Sequence, residues 1–349
     1  MAGSDERMSS STPRGAQGAE TGPGAEAGPG AEAGRLDQRR EPSAAGSDRD
    51  PTVGSPDHDP SAGDLLLTAR DIRQLAEEAG IRPSKQRGQN FVMDPNTVRT
   101  IVGRADVAEG RAVLEVGPGL GSLTLGLLET GADVAAVELD RGLAELLPLT
   151  LRARGVAEDR FRLVHDDALR ITELPELPRT GAPTVLVANL PYNVATPILL
   201  TILERFESIR SALVMVQSEV VDRLTAGPGS RTYGGPSVKA AWYGRAVNAG
   251  RISRHIFWPV PHVDSALVEL VRYDEPLGGP EEREQVFAVV DAAFAQRRKT
   301  LRAALASWAG SAVRSEEILR AAGIDPGVRG ETLGIEQFRA IARASGGIT

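Results

Sequence analysis

The stretch Ala112-Val113-Leu114-Glu115-Val116-Gly117-Pro118-Gly119-Leu120-Gly121 is a short apolar run that breaks into a glycine-rich turn. The run predicts a buried β-strand. The glycines predict a tight loop after it, because glycine lets the backbone turn sharply and approach a ligand closely. A helix is expected next, and then a second strand from Asp133 to Leu139. This strand–loop–helix–strand unit is typical of a doubly wound α/β sheet.

The same alternation continues on both sides of this unit. Upstream, apolar spacing predicts a helix from Leu65 to Ala79, and Asp94-Pro95 predicts the start of another that runs to about Arg104. Downstream, the pattern predicts helices at 143–154 and 197–206 and strands at 161–165, 184–188, 212–217 and 265–271. We expect a mostly parallel sheet with one antiparallel strand near its C-terminal edge.

The two ends of the chain depart from the α/β pattern. Residues 1–62 are rich in Gly, Ala, Pro, Ser, Glu and Arg, and Pro23–Gly28 repeats directly at 29–34. Such a segment buries too little apolar surface to offset its ordering entropy, so we predict a disordered tail. Beyond Gly278-Gly279-Pro280 the pattern is helical. We therefore predict an α/β domain over 63–276 and a small all-α domain over 277–349, with helices at 281–295, 300–309, 315–322 and 335–344.

Composition argues against several classes of protein. The 349 residues contain no run of about 18 apolar residues and no apolar signal-peptide core at the N-terminus. The absence of cysteine excludes disulfides and thiolate metal sites and fits a reducing cytoplasm, and the four histidines lack metal-ligand spacing. We therefore expect a cytoplasmic protein without a metal. The net charge of −7 argues weakly against a nucleic-acid partner, but the local distribution of charge matters more.

Acidic residues follow the second and third predicted strands. Glu138 comes about 20 residues after the glycine loop, where a carboxylate can accept hydrogen bonds from both ribose hydroxyls of a nucleoside. Asp167 could accept from the adenine amino group of such a ligand, although Asp166 could do so instead and both could be helix caps. A nicotinamide-dependent dehydrogenase would show nearly the same pattern, and a plain glycine-rich turn is the structural alternative.

The tetrapeptide Asn189-Leu190-Pro191-Tyr192 directly follows the fourth predicted strand. It suits methylation of an exocyclic aromatic amine, whose delocalised lone pair makes it a poor nucleophile. The Asn189 side-chain oxygen and the Leu190 carbonyl could accept both N–H bonds and favour a pyramidal nitrogen. Pro191 stiffens the turn, and Tyr192 offers a stacking face worth on the order of 1–3 kcal/mol. Orientation and charge placement would then suffice without a strong general base. The alternative is an ordinary strand-exit turn.

Basic residues are clustered in spite of the net negative charge. No Asp or Glu occurs between Asp222 and Asp264, an interval that holds six basic residues interleaved with aromatics: Arg223, Arg231, Lys239, Arg245, Arg251 and Arg254. A second cluster is Arg297–Lys299 with Arg302, and a third is Arg82, Lys85 and Arg87. Phosphate binding needs such clusters, although a solvated basic face would look similar.

In combination these motifs resemble the KsgA/RsmA family of ribosomal RNA adenine dimethyltransferases. The resemblance covers about residues 65 to 345. It rests on Gly88–Phe91, Glu115–Gly121, Val137–Asp140, Asn189–Asn193, Gln217–Val221, Phe257–Ser265 and Phe294–Leu301. The chain departs from the family pattern at Tyr233–Ser237, where one basic contact is missing, and in its long N-terminal segment.

The resemblance implies a Rossmann-like class I methyltransferase sheet that uses S-adenosylmethionine. Tyr192 and Phe257 would sandwich the target adenine beside Asn189 and Leu190. The implied cofactor contacts are Asn90, Val92, Gly117, Gly119, Glu138, Asp167 and Asn189. From the basic clusters themselves we predict RNA contacts at Arg87, Lys239, Arg245, Arg254, Arg297, Arg298, Lys299 and Arg302.

The resemblance also implies a substrate and a setting. The substrate would be two adjacent adenosines in the 3′-terminal hairpin loop of 16S rRNA, each dimethylated at N6 in the immature 30S subunit. The enzyme would act as a monomer, with its C-terminal helices helping to bind RNA.

Three other functions stay open at this point. An Erm-type methyltransferase acting on 23S rRNA shares the glycine loop, but it usually has Ile at position 190 and lacks a match to Phe294–Leu301. A ribosome-assembly factor would bind RNA without catalysis, although Glu138 and Asn189 argue against a purely structural role. A dehydrogenase would bind a nicotinamide and have no use for Tyr192 beside a basic face.

Overall fold

The computed structural model describes residues 65–81 and 89–347. The predicted tail at 1–62 and the basic residues Arg82, Lys85 and Arg87 lie outside the described residues. Within the described part, no helix is long and apolar enough to cross a membrane.

The strands form one large sheet and one small one. In chain order they are β1 (Phe91–Val92), β2 (Ala112–Val116), β3 (Asp133–Glu138), β4 (Phe161–His165), β5 (Val185–Asn189), β6 (Ser211–Gln217), β7 (Gly244–Ile252), β8 (Phe257–Trp258) and β9 (Ser265–Arg272). The seven-stranded sheet has the order β4-β3-β2-β5-β6-β9-β7. Strands β1 and β8 form a separate antiparallel pair.

The expected sheet is confirmed. Strands β4, β3, β2, β5 and β6 pair in parallel, and β9 pairs antiparallel with both β6 and β7 near the C-terminal edge. Every residue of β2 and β3 is buried, as expected of central strands covered on both faces. The strands of a parallel sheet point the same way, so the carboxyl ends of β2, β3 and β5 lie side by side. Val116, Glu138 and Asn189, the last residues of these strands, are therefore close together.

Helices cover both faces of the large sheet. In chain order they are α1 (Ala69–Glu78), α2 (Pro95–Arg104), α3 (Ser122–Glu129), α4 (Arg141–Ala153), α5 (Ala195–Arg205), α6 (Ser218–Leu224), α7 (Gly235–Tyr243), α8 (Pro280–Ala295), α9 (Leu301–Ala304), α10 (Ala306–Ala309), α11 (Ala312–Ala321) and α12 (Ile335–Gly347). The predicted start of α2 is confirmed, because Asp94 Oδ2 accepts a hydrogen bond from the Thr97 backbone N–H at 3.0 Å and Pro95 is the first helical residue.

Side chains on opposite faces of the sheet enter two different cores. On β2, Val113 packs into a core with α1 to α4, whereas Leu114 packs into a core with α5 and α7. This second core continues without a break into the C-terminal helices, where Val289 of α8 and Phe338 of α12 are fully buried. The helical region beyond residue 277 is thus packed onto one face of the sheet.

The main surprise is the edge strand β7 with the preceding helix α7, since the sequence suggested no regular structure over 235–252. The sequence of β7, Gly-Arg-Ala-Val-Asn-Ala-Gly-Arg-Ile, lacks a clear apolar alternation. An edge strand pairs on one side only and carries little buried surface, so its pattern is weak. In addition, a bulge between Asn248 and Gly250 interrupts the alternation.

Candidate active site

The loop after β2 requires glycine for both its conformation and its space. The φ angles are +69° at Gly117, +59° at Gly119 and +95° at Gly121, in the left-handed region. A Cβ added at Gly119 would lie 2.9 Å from a ring carbon of Phe91, and one at Gly121 would lie 2.5 Å from Leu147 Cδ1. Helix α3 begins directly after the loop, so its positive end lies beside the turn.

A first cavity opens where β2 and β3 end at the glycine loop. It gathers six of the seven predicted cofactor contacts: Asn90, Val92, Gly117, Gly119, Glu138 and Asn189. Gln89, Glu115, Leu139, Asp140 and Pro191 also line it. The fold therefore brings together predicted cofactor contacts that lie far apart in the chain.

Glu138 is fixed in this cavity by two backbone amides. One carboxylate oxygen accepts from the Gly119 N–H at 3.1 Å, and the other accepts from the Asp140 N–H at 2.9 Å. The side chain is buried, which raises the pKa of Glu138, whereas the hydrogen bonds from these two amides oppose that rise. A carboxylate has about four acceptor positions, so it retains capacity for further donors such as ribose hydroxyls.

Glu115 is a second carboxyl group in the same cavity. It is fully buried and accepts a hydrogen bond from Thr124 Oγ1 at 2.6 Å. Burial, opposed by the hydrogen bond from Thr124 and assisted by the nearby charge of Glu138, raises the pKa of Glu115 to about 8. Glu115 is therefore mostly protonated near pH 7.

Asn189 is oriented by a residue that lies 99 positions earlier in the chain. Its side-chain Nδ2 donates to the Asn90 carbonyl at 2.9 Å. Since the nitrogen donates to Asn90, the side-chain oxygen Oδ1 stays available to accept a hydrogen bond. The Leu190 N–H donates to the Met215 carbonyl at 3.1 Å, which ties the turn to β6. Among the described residues, none donates to Asn189 Oδ1 or to the Leu190 carbonyl.

A second cavity adjoins the first. Tyr192, Asn193 and Gln217 line it together with the loop 259–263, and Gln89 and Asn90 line both cavities. The tetrapeptide therefore spans the two spaces, because Asn189 and Pro191 line the first and Tyr192 lines the second. Val260 and Val263 are exposed at the second cavity, and Pro259 and Pro261 add to its apolar wall.

Tyr192 and Phe257 differ in their placement. Tyr192 is partly buried, its hydroxyl lies 2.6 Å from Ser265 Oγ, and burial raises its pKa. Phe257 is 0% exposed and lies in β8, opposite Val92. It lines neither cavity, so in this structure it does not offer a face to a base. The prediction that Phe257 sandwiches the target is thus not supported by this geometry.

Asp167 and Val92 each form a hydrogen bond within the protein. Asp167 does not line the first cavity; its Oδ1 accepts from the Leu169 N–H at 2.9 Å in a turn, and because no helix begins at this turn Asp167 is not the helix cap that the sequence left open. Its role toward a cofactor stays a prediction. The Val92 carbonyl accepts from Ser122 Oγ at 2.7 Å, which ties β1 to the start of α3.

The predicted RNA contacts fall into two groups. Arg245, Arg298 and Lys299 are exposed and form no ion pair within the described part of the chain. The others are engaged within the protein: Lys239 pairs with Asp291 at 2.7 Å, Arg297 with Glu331 at 3.0 Å and Arg302 with Glu316 at 2.8 Å, and Arg254 donates to the His262 carbonyl at 3.1 Å. Arg87 lies outside the described residues.

Sequence reasoning assigned no role to Gln89, Gln217 or Ser265, although all three lie in stretches that resemble the family. Gln89 and Gln217 line the cavities, and Ser265 binds Tyr192. The available signal was position: Gln217 ends a predicted strand at the same sheet edge as Asn189, where ligands of α/β proteins collect. The partner of Ser265 was not predictable, because the contact joins residues 73 positions apart.

The strand order, the antiparallel β9, the glycine loop after β2 and the acid that ends β3 define a class I methyltransferase. Comparison with known proteins narrows the class. The profile of the family described as ribosomal RNA adenine dimethylase matches residues 82–344. The chain therefore belongs to this family.

The relatives agree with this assignment. The chain is 62% identical over 280 residues to the ribosomal RNA small subunit methyltransferase A of Streptomyces griseus, a match that covers 80% of this chain and 95% of the relative. It is 60% identical over 280 residues to the protein of the same name from Streptomyces coelicolor, with 80% and 96% covered.

Solved structures show the same fold. The 23S rRNA methyltransferase ErmE is 27% identical with a TM-score of 0.54, and the match covers 73% of this chain and 99% of ErmE. A dimethyladenosine transferase from Plasmodium falciparum has a TM-score of 0.60 at 19% identity, with 72% and 95% covered. The chain is 60–62% identical to these two small-subunit methyltransferases and 27% identical to ErmE, so the comparison does not favour the Erm alternative.

Proposed function

We propose that this chain transfers methyl groups from S-adenosylmethionine to the N6 amines of two adjacent adenosines in the 3′-terminal hairpin loop of 16S rRNA. The family and the names of the relatives support ribosomal RNA of the small subunit as the substrate. The observation that carries the chemistry is the hydrogen bond from Asn189 Nδ2 to the Asn90 carbonyl, because it leaves Oδ1 to accept from an amine.

The first cavity fits the cofactor. Glu138 presents a carboxylate that suits the ribose hydroxyls, and the bare backbone at Gly117 and Gly119 allows the close approach that a side chain would block. Gln89 and Asn90 would lie toward the end of the cofactor that reacts, since they line both cavities. When bound, the cofactor supplies an electrophilic methyl group.

The chain's own residues then position the target amine. In the first transfer, Asn189 Oδ1 and the Leu190 carbonyl accept hydrogen bonds from the two N–H groups of the amine and draw the nitrogen toward a pyramidal geometry, which frees its lone pair. The nitrogen loses one proton to solvent for each methyl group it gains, so in the second transfer its single N–H donates to one of the two acceptors. Tyr192 gives the base a stacking face in the second cavity. Both acceptors are held before the substrate arrives, by Asn90 and by the bond from the Leu190 N–H to Met215. Catalysis is thus by orientation and placed dipoles.

The RNA partner is supported by local charge. Arg245 on β7 and Arg298 and Lys299 after α8 are exposed cations that phosphates can reach. We propose that the helical region 277–349 contributes to binding of the immature 30S subunit, that the protein acts as a monomer, and that it does so in the cytoplasm, where small subunits are assembled.

A comparison of the two ribosomal subunits tests this proposal. The protein is incubated with tritiated S-adenosylmethionine and either undermethylated small subunits or large subunits, and incorporation of label into RNA is counted. We expect label in the small-subunit RNA alone. Label in large-subunit RNA would favour the Erm-type function, and binding to small subunits without any label would favour an assembly factor.

A further inference from the structure

One hydrogen bond ties the tetrapeptide to strand β9. The Tyr192 hydroxyl lies 2.6 Å from Ser265 Oγ, and either oxygen can be the donor. The contact joins the loop after β5 to the first residue of β9. Within the described residues it is the sole hydrogen bond of either hydroxyl group.

Ser265 is a rigid anchor. It is 0% exposed, and its backbone is paired on both sides, opposite Gln217 of β6 and Ile252 of β7. A residue that is paired on both sides cannot shift without disturbing two strands. Tyr192, by contrast, lies in a loop and is only partly buried. The hydrogen bond therefore holds the loop residue Tyr192 against a fixed position in the sheet.

A buried hydroxyl at this position needs a reason. The neighbours of Ser265 along β9 are the apolar residues Ala266 and Leu267, and an alanine would pack there without the cost of burying a polar group. The hydrogen bond with Tyr192 offsets the cost of burying the Ser265 hydroxyl. Because the phenol oxygen lies on the axis that runs from Cβ through the ring, holding that oxygen fixes the direction of the axis and therefore the place of the ring.

From this geometry we infer that Ser265 is a positioning residue, which holds the ring of Tyr192 in the place where the target adenine stacks. The inference rests on the proposed function, since it assigns Ser265 to the base site of that reaction. A loose ring would still bind the base, but would hold the amine less well aligned with Asn189 Oδ1. The loss should therefore fall on the transfer step and spare the affinity for RNA.

The test compares variants that remove the bond from either side. Ser265→Ala and Tyr192→Phe each abolish it, and Tyr192→Phe keeps the ring. Ser315→Ala is the matched control, because Ser315 is also 0% exposed, lies on α11, and its hydroxyl has no hydrogen-bond partner in the described part of the chain. Thermal unfolding of each variant shows whether it is folded.

Single-turnover methyl transfer to small subunits, with cofactor and RNA saturating, is the main measurement. We expect Ser265→Ala and Tyr192→Phe each to slow transfer by about 10-fold, and the double variant to be no slower than the singles, because both remove the same interaction. The dissociation constants for S-adenosylmethionine and for small subunits should stay within about twofold of the parent. Ser315→Ala should transfer at the parent rate.

Several outcomes would overturn the inference. Transfer at the parent rate in Ser265→Ala, or losses that multiply in the double variant, would show that the two hydroxyls act separately. A loss in Ser265→Ala alone, together with a lower unfolding temperature, would show a purely structural role. The proposed function fails separately: the parent protein itself would then transfer no methyl to small subunits, and the inference would fall with it.

Discussion

One hydrogen bond orients the side-chain amide of Asn189. Its Nδ2 donates to the Asn90 carbonyl, so Oδ1 stays available to accept a hydrogen bond from a substrate. The contact joins residues 99 positions apart and ties the turn after β5 to the segment before β1. This orientation of the side chain is what the proposed chemistry requires, and the following variant tests it against an ordinary strand-exit turn.

Replacement of Asn189 should separate binding from chemistry. Asn189→Ala removes an acceptor for the amine but leaves the glycine loop and the basic surface intact, so we expect about 100-fold slower methyl transfer with near-normal RNA affinity. Single-turnover rates and filter binding measure the two properties. Asn96→Ala, at an exposed position on α2, is the matched control. Near-parent transfer in Asn189→Ala would contradict the mechanism.

Glu115 makes stability depend on pH. Its pKa is about 8 in the folded protein, whereas an exposed glutamate ionises near its ordinary value of 4.5. As the pH rises, the unfolded chain therefore loses this proton before the folded chain does. The stability that the protonated Glu115 contributes is full below pH 4.5 and is lost as the pH rises toward 8. We expect Glu115→Gln to raise the free energy of unfolding at pH 7 by on the order of 1–3 kcal/mol, and the gain to vanish near pH 4.5.

Urea unfolding of the parent and of Glu115→Gln across pH 4.5 to 8 measures this difference. Glu284→Gln, at an exposed position on α8 without an ion pair in the described part of the chain, is the control and should gain much less stability at pH 7 than Glu115→Gln. A gain in Glu115→Gln that does not change with pH would show that burial does not raise the pKa of Glu115 as described.

The glycine loop between β2 and α3 combines two constraints that a matched pair of variants can separate. Gly119 has a left-handed φ, and a Cβ there would also meet Phe91 at 2.9 Å. Gly155 has a φ of +77° with nothing within 4 Å of an added Cβ. Alanine at Gly155 therefore adds only backbone strain, whereas alanine at Gly119 adds strain and crowding at the first cavity.

We expect Gly155→Ala to lower the free energy of unfolding by about 1–2 kcal/mol and to leave cofactor affinity unchanged. Gly119→Ala should cost more and should weaken S-adenosylmethionine binding by at least about 10-fold. Calorimetric titration with the cofactor and thermal unfolding measure both effects. Equal cofactor affinity in the two variants would contradict the assignment of the first cavity.

Elements with a strong pattern were predictable from the sequence, and those stabilised by distant partners were not. Strand β2 was predicted with its observed bounds because its residues are buried on both faces and its end is marked by Gly117. The helix expected over 300–309 is instead α9 and α10, separated at Leu305. Strand β7 was missed because an edge strand with a bulge has little apolar alternation.

The candidate site shows the same limit. Residues at strand ends, such as Glu138 and Asn189, could be predicted because the topology of a parallel sheet brings such ends together. The burial of Phe257 in β8 depends on a two-residue pairing with β1, which has no pattern of its own. The hydrogen bond of Ser265 depends on a loop that only the folded chain brings near.

The distribution of charge over the whole molecule decides which basic residues are available to RNA. Arg298 and Lys299 are exposed and have no ion-pair partner within the described residues, whereas Arg320 pairs with Glu316 on the same helix. A cation that is already paired within the protein contributes less free energy to phosphate binding, because its existing ion pair must first be broken.

The variant Arg298→Gln/Lys299→Gln should therefore weaken binding to small subunits by on the order of 10-fold and lower the slope of log Kd against log salt by about 1–2. Arg320→Gln, the control, should leave both nearly unchanged. Filter binding at several salt concentrations gives both quantities. An unchanged salt slope in the double variant would contradict a role for this turn in phosphate binding.

The central claim concerns which atoms of which RNA receive the methyl groups. Undermethylated small subunits are incubated with the protein and S-adenosylmethionine carrying a deuterated methyl group, and the 16S rRNA is digested and mapped by mass spectrometry. We predict two adjacent adenosines near the 3′ end, each carrying two deuterated methyl groups on N6. Label on a single adenosine elsewhere, on another base, or none at all would contradict the proposed function.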